Sequence, residues 1–318
     1  MVTIIDYLVK MRVSLSPLAG ISDLSFRLIC RRYGAPYAFT EMVDAKAILH
    51  ARESSFRMLS SNEEDKPLGV QLVGENIKDI VEAAKVCEDK GFDMININAA
   101  CPVPKLKRKG KGVALMNEPE KMGHLIASLT KAVKVPVVLK IRSGFDNNSL
   151  NYLEISRIAE SEGASAIFIH PRTAESKYAG RLCKEHIIEL KQHLKIPIFA
   201  SGNVMKAYHV IEMLESTGCD GVSIARGSMG QPWIFSQSQT LLDNKPMSEK
   251  PPLDEIKQIA QDHFLMMAEI YGFNRALPRM YKHMTWYFAK HKELDPLMRS
   301  FRHTVKCEKD FVAFLGRF

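Results

Sequence analysis

Short apolar runs rich in β-branched residues recur along the first three quarters of the chain. They occupy residues 13–19, 37–43, 68–73, 93–98, 135–142, 166–170, 196–201 and 221–226. Between them lie stretches whose apolar residues repeat at helical spacing. The clearest are 77–90 and 120–133, each with one apolar and one charged face. Eight strand-like runs alternating with helix-like stretches predict parallel β/α units. A polar or otherwise unusual residue stands at the end of each run: Pro17, Glu41, Gln71, Asn98, Lys140, His170, Ser201 and Arg226, at steps of 24 to 42 residues. That rhythm fits an α/β chain folded as a (β/α)8 TIM barrel, whose C-terminal rim carries the chemistry. The alternative, an open doubly wound sheet, usually carries a Gly-rich dinucleotide turn. Neither GxGxxG nor a P-loop is present.

After Trp233 the pattern changes. Residues 245–252 form a polar, Pro-containing linker, and 254–318 read as helices without a strand. Asp254 marks the start of one helix, Gly272 its end, and Asp295-Pro296 the opening of another. The expected division is a barrel over 1–244 and a small helical domain over 245–318.

Composition narrows the class. Of 318 residues, 46% are hydrophobic, enough for a sizeable core and too many for a disordered chain. The net charge of +8 permits a polyanionic partner without requiring one. The six cysteines show no CxxC spacing, which points to a reduced, cytoplasmic protein with no zinc ribbon. Residues 1–12 are too short and too charged for a secretory signal, and no apolar run is long enough for a membrane span.

Cys101 is the sharpest candidate for chemistry. It follows the fourth run and precedes a loop with Lys105, Lys107, Arg108, Lys109 and Lys111, cations expected to favour the thiolate. A thiol above a barrel rim can also donate or accept a proton. Lys140 ends an apolar run, where its charge needs an anion or ligand unless it reaches solvent. His170, followed by Arg172, ends the sixth run; without further ligands at metal spacing, a metal site is rejected. The Gln71 amide could bind a ligand or satisfy neighbouring backbone. Ser201-Gly202-Asn203 and Ala225-Arg226-Gly227 follow the seventh and eighth runs, where barrels commonly cradle a phosphate. Residues 272–306 hold eight Lys/Arg against two Asp/Glu, and Arg275, Arg279 and Lys282 fall on one helical face if Pro278 leaves the register intact. With Trp286, Tyr287 and Phe288 they suit phosphate contact and base stacking, or else a solvated face over an aromatic core.

Taken in order, these motifs resemble the tRNA-dihydrouridine synthases. They are Ser16-Pro17-Leu18-Ala19-Gly20 with Asp23 and Phe26-Arg27, Thr40-Glu41-Met42-Val43, Gln71-Leu72, Asn98-Ala99-Ala100-Cys101-Pro102, Lys140-Ile141-Arg142, His170-Pro171-Arg172-Thr173, Ser201-Gly202-Asn203, and Ala225-Arg226-Gly227 with Gly230 and Pro232-Trp233-Ile234-Phe235. The likeness runs from about residue 14 to 235 and more weakly to 287, where Arg275, Lys282-His283 and Trp286-Tyr287 resemble the family's helical tRNA-binding domain. It implies FMN held by Pro17, Leu18, Ala19, Gln71, Lys140, His170, Ser201, Gly202, Asn203, Ala225 and Arg226. It implies Cys101 as the general acid, NADPH or NADH as the reductant, and a tRNA uridine as the substrate. Asn98 and Arg172 match positions near the target base, and Arg275, Arg279 and Lys282 would meet the tRNA. A monomer without metal or membrane is expected. The chain departs from the family pattern at Ala100, where Gly is usual, and at Ala174, where a second Arg is usual. The rival readings are a dihydroorotate-dehydrogenase-like flavoenzyme, which needs no basic helical domain, and a tRNA-binding or chaperone protein with a vestigial barrel, which needs no Cys101.

Overall fold

The computed structural model describes residues 3–318. Eight parallel strands close into a barrel: β1 (Val13–Leu15), β2 (Ala38–Asp44), β3 (Leu68–Val73), β4 (Met94–Ala99), β5 (Val137–Arg142), β6 (Ala166–His170), β7 (Ile198–Ala200) and β8 (Gly221–Ile224). Each pairs with the next, and β8 returns to β1 with Val13 opposite Val222. The strands are buried on both faces, so they read as continuous apolar runs rather than alternating ones. Helices cross over between them. Ile77–Asp89 starts where Asn76 accepts the Asp79 N–H, and Pro119–Ala132 starts on a proline, whose missing N–H costs a helix nothing there.

Four runs are longer than the strands they contain, and β8 stops at Ile224, two residues short of its run. β1 stops at Leu15 because Pro17 cannot donate to a ladder, β5 begins after Pro136, and β7 begins after Pro197. Pro17, Ser201 and Arg226 therefore stand on rim loops. Gln71, Asn98, Lys140 and His170 lie within the last residues of their strands.

Inward-facing residues alternate with residues that face the helices. Tyr37, Phe39, Met94, Val138, Ala166, Phe168 and Phe199 fill the N-terminal half of the barrel, with Leu8 of the helix Ile4–Met11 packed against them. Phe168 stacks on Phe199 at 4.7 Å between ring centres. The barrel interior is thus solid at one end, and space for a ligand remains only toward the C-terminal rim.

The helices Leu253–Tyr271, Phe273–Tyr287, Asp295–Thr304 and Glu308–Leu315 build a second core around Phe264, Met267, Met280, Met284, Phe301 and Phe311. Ile29 and Trp233 from the barrel complete it. Helix Leu253–Tyr271 ends at Gly272, as expected, and Pro278 lies inside Phe273–Tyr287 without ending it. At the seam, Gly230 has φ +69°, and a Cβ there would stand 2.3 Å from the Trp286 carbonyl carbon. Only glycine allows the helical layer to approach the rim this closely.

Candidate active site and its cavity

A cavity of about 370 Å³ opens at the C-terminal rim. Its size falls within the range of small-molecule sites. Pro17, Leu18, Ala19, Met42, Gln71, Asn98, Cys101, Lys140, His170, Ser201, Gly202, Asn203, Ala225 and Arg226 line it, so eight strand ends converge on one space. No carboxylate lies among the lining residues, whereas Lys140, Arg142 and Arg226 do. Such a cavity favours an anionic ligand.

Lys140 Nζ has no hydrogen-bond or ion-pair partner among the described residues. Burial, and then the Arg142 guanidinium, pull its pKa down to about 8. Burial also drives His170 down to about 2, with Arg142, Lys140 and Arg172 adding to it, so this imidazole is neutral at any working pH. The amides of Gly202, Asn203, Arg226 and Gly227 likewise have no protein acceptor among the described residues. An unpaired ammonium and two adjacent turns with free N–H groups match the needs of a phosphorylated, electron-accepting cofactor. Glu41 supports the first wall from behind, where its carboxylate accepts the Gly20 N–H and closes the turn carrying Pro17, Leu18 and Ala19.

A chain of side-chain amides crosses the cavity floor. Gln71 Nε2 donates to Asn96 Oδ1 at 3.0 Å, and Asn98 Nδ2 donates to Gln71 Oε1 at 2.8 Å. Asn98 Oδ1 then accepts the N–H groups of Ala100 and Cys101 at 3.1 and 2.9 Å. Asn98 therefore aims the segment that carries the thiol. Arg142 holds the same segment, donating to the Ala100 carbonyl at 2.8 Å, and binds the Thr173 and Lys177 carbonyls beyond it. Cys101 is half-buried, and burial raises its pKa. Here the structure corrects the sequence expectation: the lysines that follow it point elsewhere, and the group is held as a thiol, not a thiolate. That state is the one a proton donor needs.

Arg172 does not line the cavity. Its guanidinium folds back to the Gly180 carbonyl at 2.8 Å and to Asn203 Oδ1 at 3.1 Å, bracing one rim loop against the next. Ala174, where the family pattern has Arg, is buried at the base of that loop. Two residues of the site do not stand out in the sequence, Arg142 as a site residue in its own right and Tyr178 altogether. Tyr178 is 59% exposed, with its ring 5.6 Å from Arg142 and 5.3 Å from Arg226. An exposed aromatic in a loop leaves no periodic signal. Arg275, Arg279 and Lys282 share an exposed face of the helix Phe273–Tyr287, while Tyr287 and Phe288 lie in its core. The Arg279 guanidinium sits 4.4 Å over the Tyr271 ring.

Comparison with known proteins is consistent along the chain. The family described as Dihydrouridine synthase (Dus) matches residues 14–315. The chain is 32% identical over 313 residues to tRNA-dihydrouridine synthase B of Pasteurella multocida, covering 98% of this chain and 94% of that one. It is 34% identical over 300 residues to the protein of the same name from Proteus vulgaris, covering 93% and 92%. Among solved structures, a 2-naphthoyl-CoA reductase superposes with a TM-score of 0.58 at 10% identity, covering 74% of this chain and 50% of that one. Histamine dehydrogenase from a Rhizobium species superposes with 0.52 at 13%, covering 80% and 48%. The chain spans about half the length of those two structures, and at such identities they share its fold alone.

Proposed function

The chain belongs to the dihydrouridine synthase family, and from that premise we propose that it is a flavin-dependent oxidoreductase that saturates the C5–C6 bond of a uridine in tRNA. The observation that carries this reading is one cavity in which a protonated thiol faces an unpaired ammonium and two amide-lined turns. The residues present fit FMN. Lys140 would meet negative charge on the ring system, and the turns at Gly202, Asn203, Arg226 and Gly227 would take the phosphate. Pro17, Leu18, Ala19 and His170 would flank the rings. FMN bound there and reduced by NADPH or NADH would supply hydride chemistry at C6 of the uracil. Cys101 donates the proton to C5 from the opposite face, and Asn98 and Arg142 hold its segment at the right height. The Asn98 amide and the Tyr178 ring, which both line the cavity, would meet an incoming base.

A uridine inside folded tRNA must leave its stack to reach this depth. The exposed cations Arg275, Arg279 and Lys282 would hold the surrounding phosphates. No helix among the described residues is long and apolar enough to cross a membrane, and no cluster of metal ligands is present among them. We read the protein as a cytoplasmic monomer.

FMN should co-purify with the protein, and Lys140→Ala should weaken its retention. Wild-type retention should itself fall as pH rises past about 8, because the unliganded ammonium loses its proton there. The check is the visible absorbance of dialysed protein across pH. A spectrum without flavin bands, unchanged after excess FMN, would overturn the cofactor assignment. The activity itself is tested by incubating unmodified tRNA with protein and NADPH and seeking uridines that have gained two hydrogens.

A further inference from the structure

The loop after β4 carries five cations in the seven positions 105–111, and one of them differs from the rest. Lys105, Arg108 and Lys109 are exposed, and Lys107 lies over the Phe145 ring at 4.5 Å. Lys111 is 4% exposed. Its Nζ stands 2.6 Å from Asp44 Oδ2 and 2.8 Å from Glu75 Oε2. Those carboxylates belong to the end of β2 and to the segment after β3, so one ammonium ties this loop to two neighbouring strands.

The two residues after Lys111 pack against Cys101. The Val113 N–H donates to the Cys101 carbonyl at 3.1 Å. Gly112 has φ +62°, and a Cβ there would lie 2.7 Å from the same carbonyl oxygen. Cys101 is therefore gripped on both sides, by Asn98 before it and by Gly112 and Val113 after it. The first grip is anchored in β4. The second is anchored ahead of Gly112 by the ion pairs of Lys111, and beyond it by Val113, Leu115 and Met116, which are buried in the barrel's core.

We propose that Lys111 is a positioning residue for the proton donor: clamped by Asp44 and Glu75, it holds the returning loop against Cys101 and keeps the thiol buried and aimed into the cavity. The proposal rests on the role given to Cys101 above. The clamp is asymmetric in a useful way. Lys111 is buried, whereas the Asp44 and Glu75 side chains are 36% and 40% exposed. Removing the ammonium leaves two carboxylates that can rehydrate, so the loop should loosen without unfolding the barrel. Methionine would keep the aliphatic volume.

The experiment compares wild-type holoenzyme with Lys111→Met, Lys111→Arg and Asp44→Asn. Iodoacetamide labelling of Cys101 is followed peptide by peptide by mass spectrometry, without tRNA. Loosening lowers the thiol pKa toward its ordinary value, and labelling should quicken by roughly tenfold for each unit that it falls. Lys111→Met should label fastest. Asp44→Asn, which leaves one carboxylate, should be intermediate and remains informative if the methionine variant folds poorly. Lys111→Arg should approach wild type. Dihydrouridine formation should slow in the same order, while flavin reduction by NADPH is unchanged. Equal Cys101 labelling rates in wild type, Lys111→Met and Asp44→Asn would overturn the proposal. A wild-type protein that makes no dihydrouridine would instead count against the activity, leaving the labelling comparison intact.

Discussion

Cys101→Ala should leave flavin reduction by NADPH near the wild-type rate while almost abolishing dihydrouridine formation. The two half-reactions draw on different groups. Among the described residues, neither the Lys140 ammonium nor the turns after β7 and β8 make a direct side-chain hydrogen bond to Cys101, so the first half should not register the substitution. In the second half, the other proton-bearing groups of the cavity are the Lys140 ammonium, which the flavin would engage, and the phenol of the exposed Tyr178; the rest are amides, hydroxyls, a neutral imidazole and guanidinium cations. General acid catalysis typically contributes roughly 10²- to 10⁴-fold, and the drop in rate should fall in that span. The pH dependence has a definite sign. Burial raises the thiol pKa, so the proton-donating form persists through neutrality and disappears only above the ordinary thiol range. The rate of the second half-reaction should therefore fall on the alkaline side. Single-turnover assays with pre-reduced enzyme measure it, and a Cys101→Ala enzyme that reduces tRNA at a near-normal rate would remove the cysteine from the mechanism.

The second large effect is expected in tRNA binding. Replacing Arg275, Arg279 and Lys282 together with alanine should weaken binding and flatten its dependence on salt. Each phosphate that these cations no longer neutralise should take up to about 0.9 from the slope of log affinity against log salt, less where the RNA is single-stranded. The condition that mattered in the sequence was Pro278, and the helix runs through it, leaving all three cations on the solvent side. Arg279 already spends part of its charge on the Tyr271 ring, so Arg275 and Lys282 should account for more of the change. Flavin content should not move. Parallel salt slopes with equal affinities would mean that these cations form only a solvated face.

Much of the barrel was legible because a parallel barrel writes itself into a chain as a rhythm. Strands buried on both faces leave continuous apolar runs, and the strand ends from Gln71 to His170 could be read directly. The prolines at 17, 136 and 197 trimmed the runs, because a missing N–H ends a ladder whatever its hydropathy. Other features left no such trace. Arg172 looked like a residue facing the substrate, yet whether a guanidinium points inward or braces a loop depends on which carbonyl lies within reach, here that of Gly180. The loop lysines seemed to acidify Cys101, but proximity in sequence said nothing of where their ammonium groups point. Lys111 is paired with carboxylates 67 and 36 positions earlier in the chain, a distance at which no local pattern can show a partner. Its neighbours Lys105, Arg108 and Lys109, exposed cations in the same short loop, are what made it look ordinary.

The aromatic layer at the closed end of the barrel bears on the order of events. Phe39, Phe168 and Phe199, backed by Leu8, fill that end, so a flavin held in the rim cavity would be reached from the rim. On the proposed reading, a dinucleotide delivering electrons and a nucleotide receiving them would use the same mouth and would exclude one another from the reactive face. The enzyme would work by alternation: the electron donor departs before the RNA engages, and the electron pair waits on the flavin between the two visits. A filled floor thus becomes a kinetic constraint, under which an excess of either visitor obstructs the other.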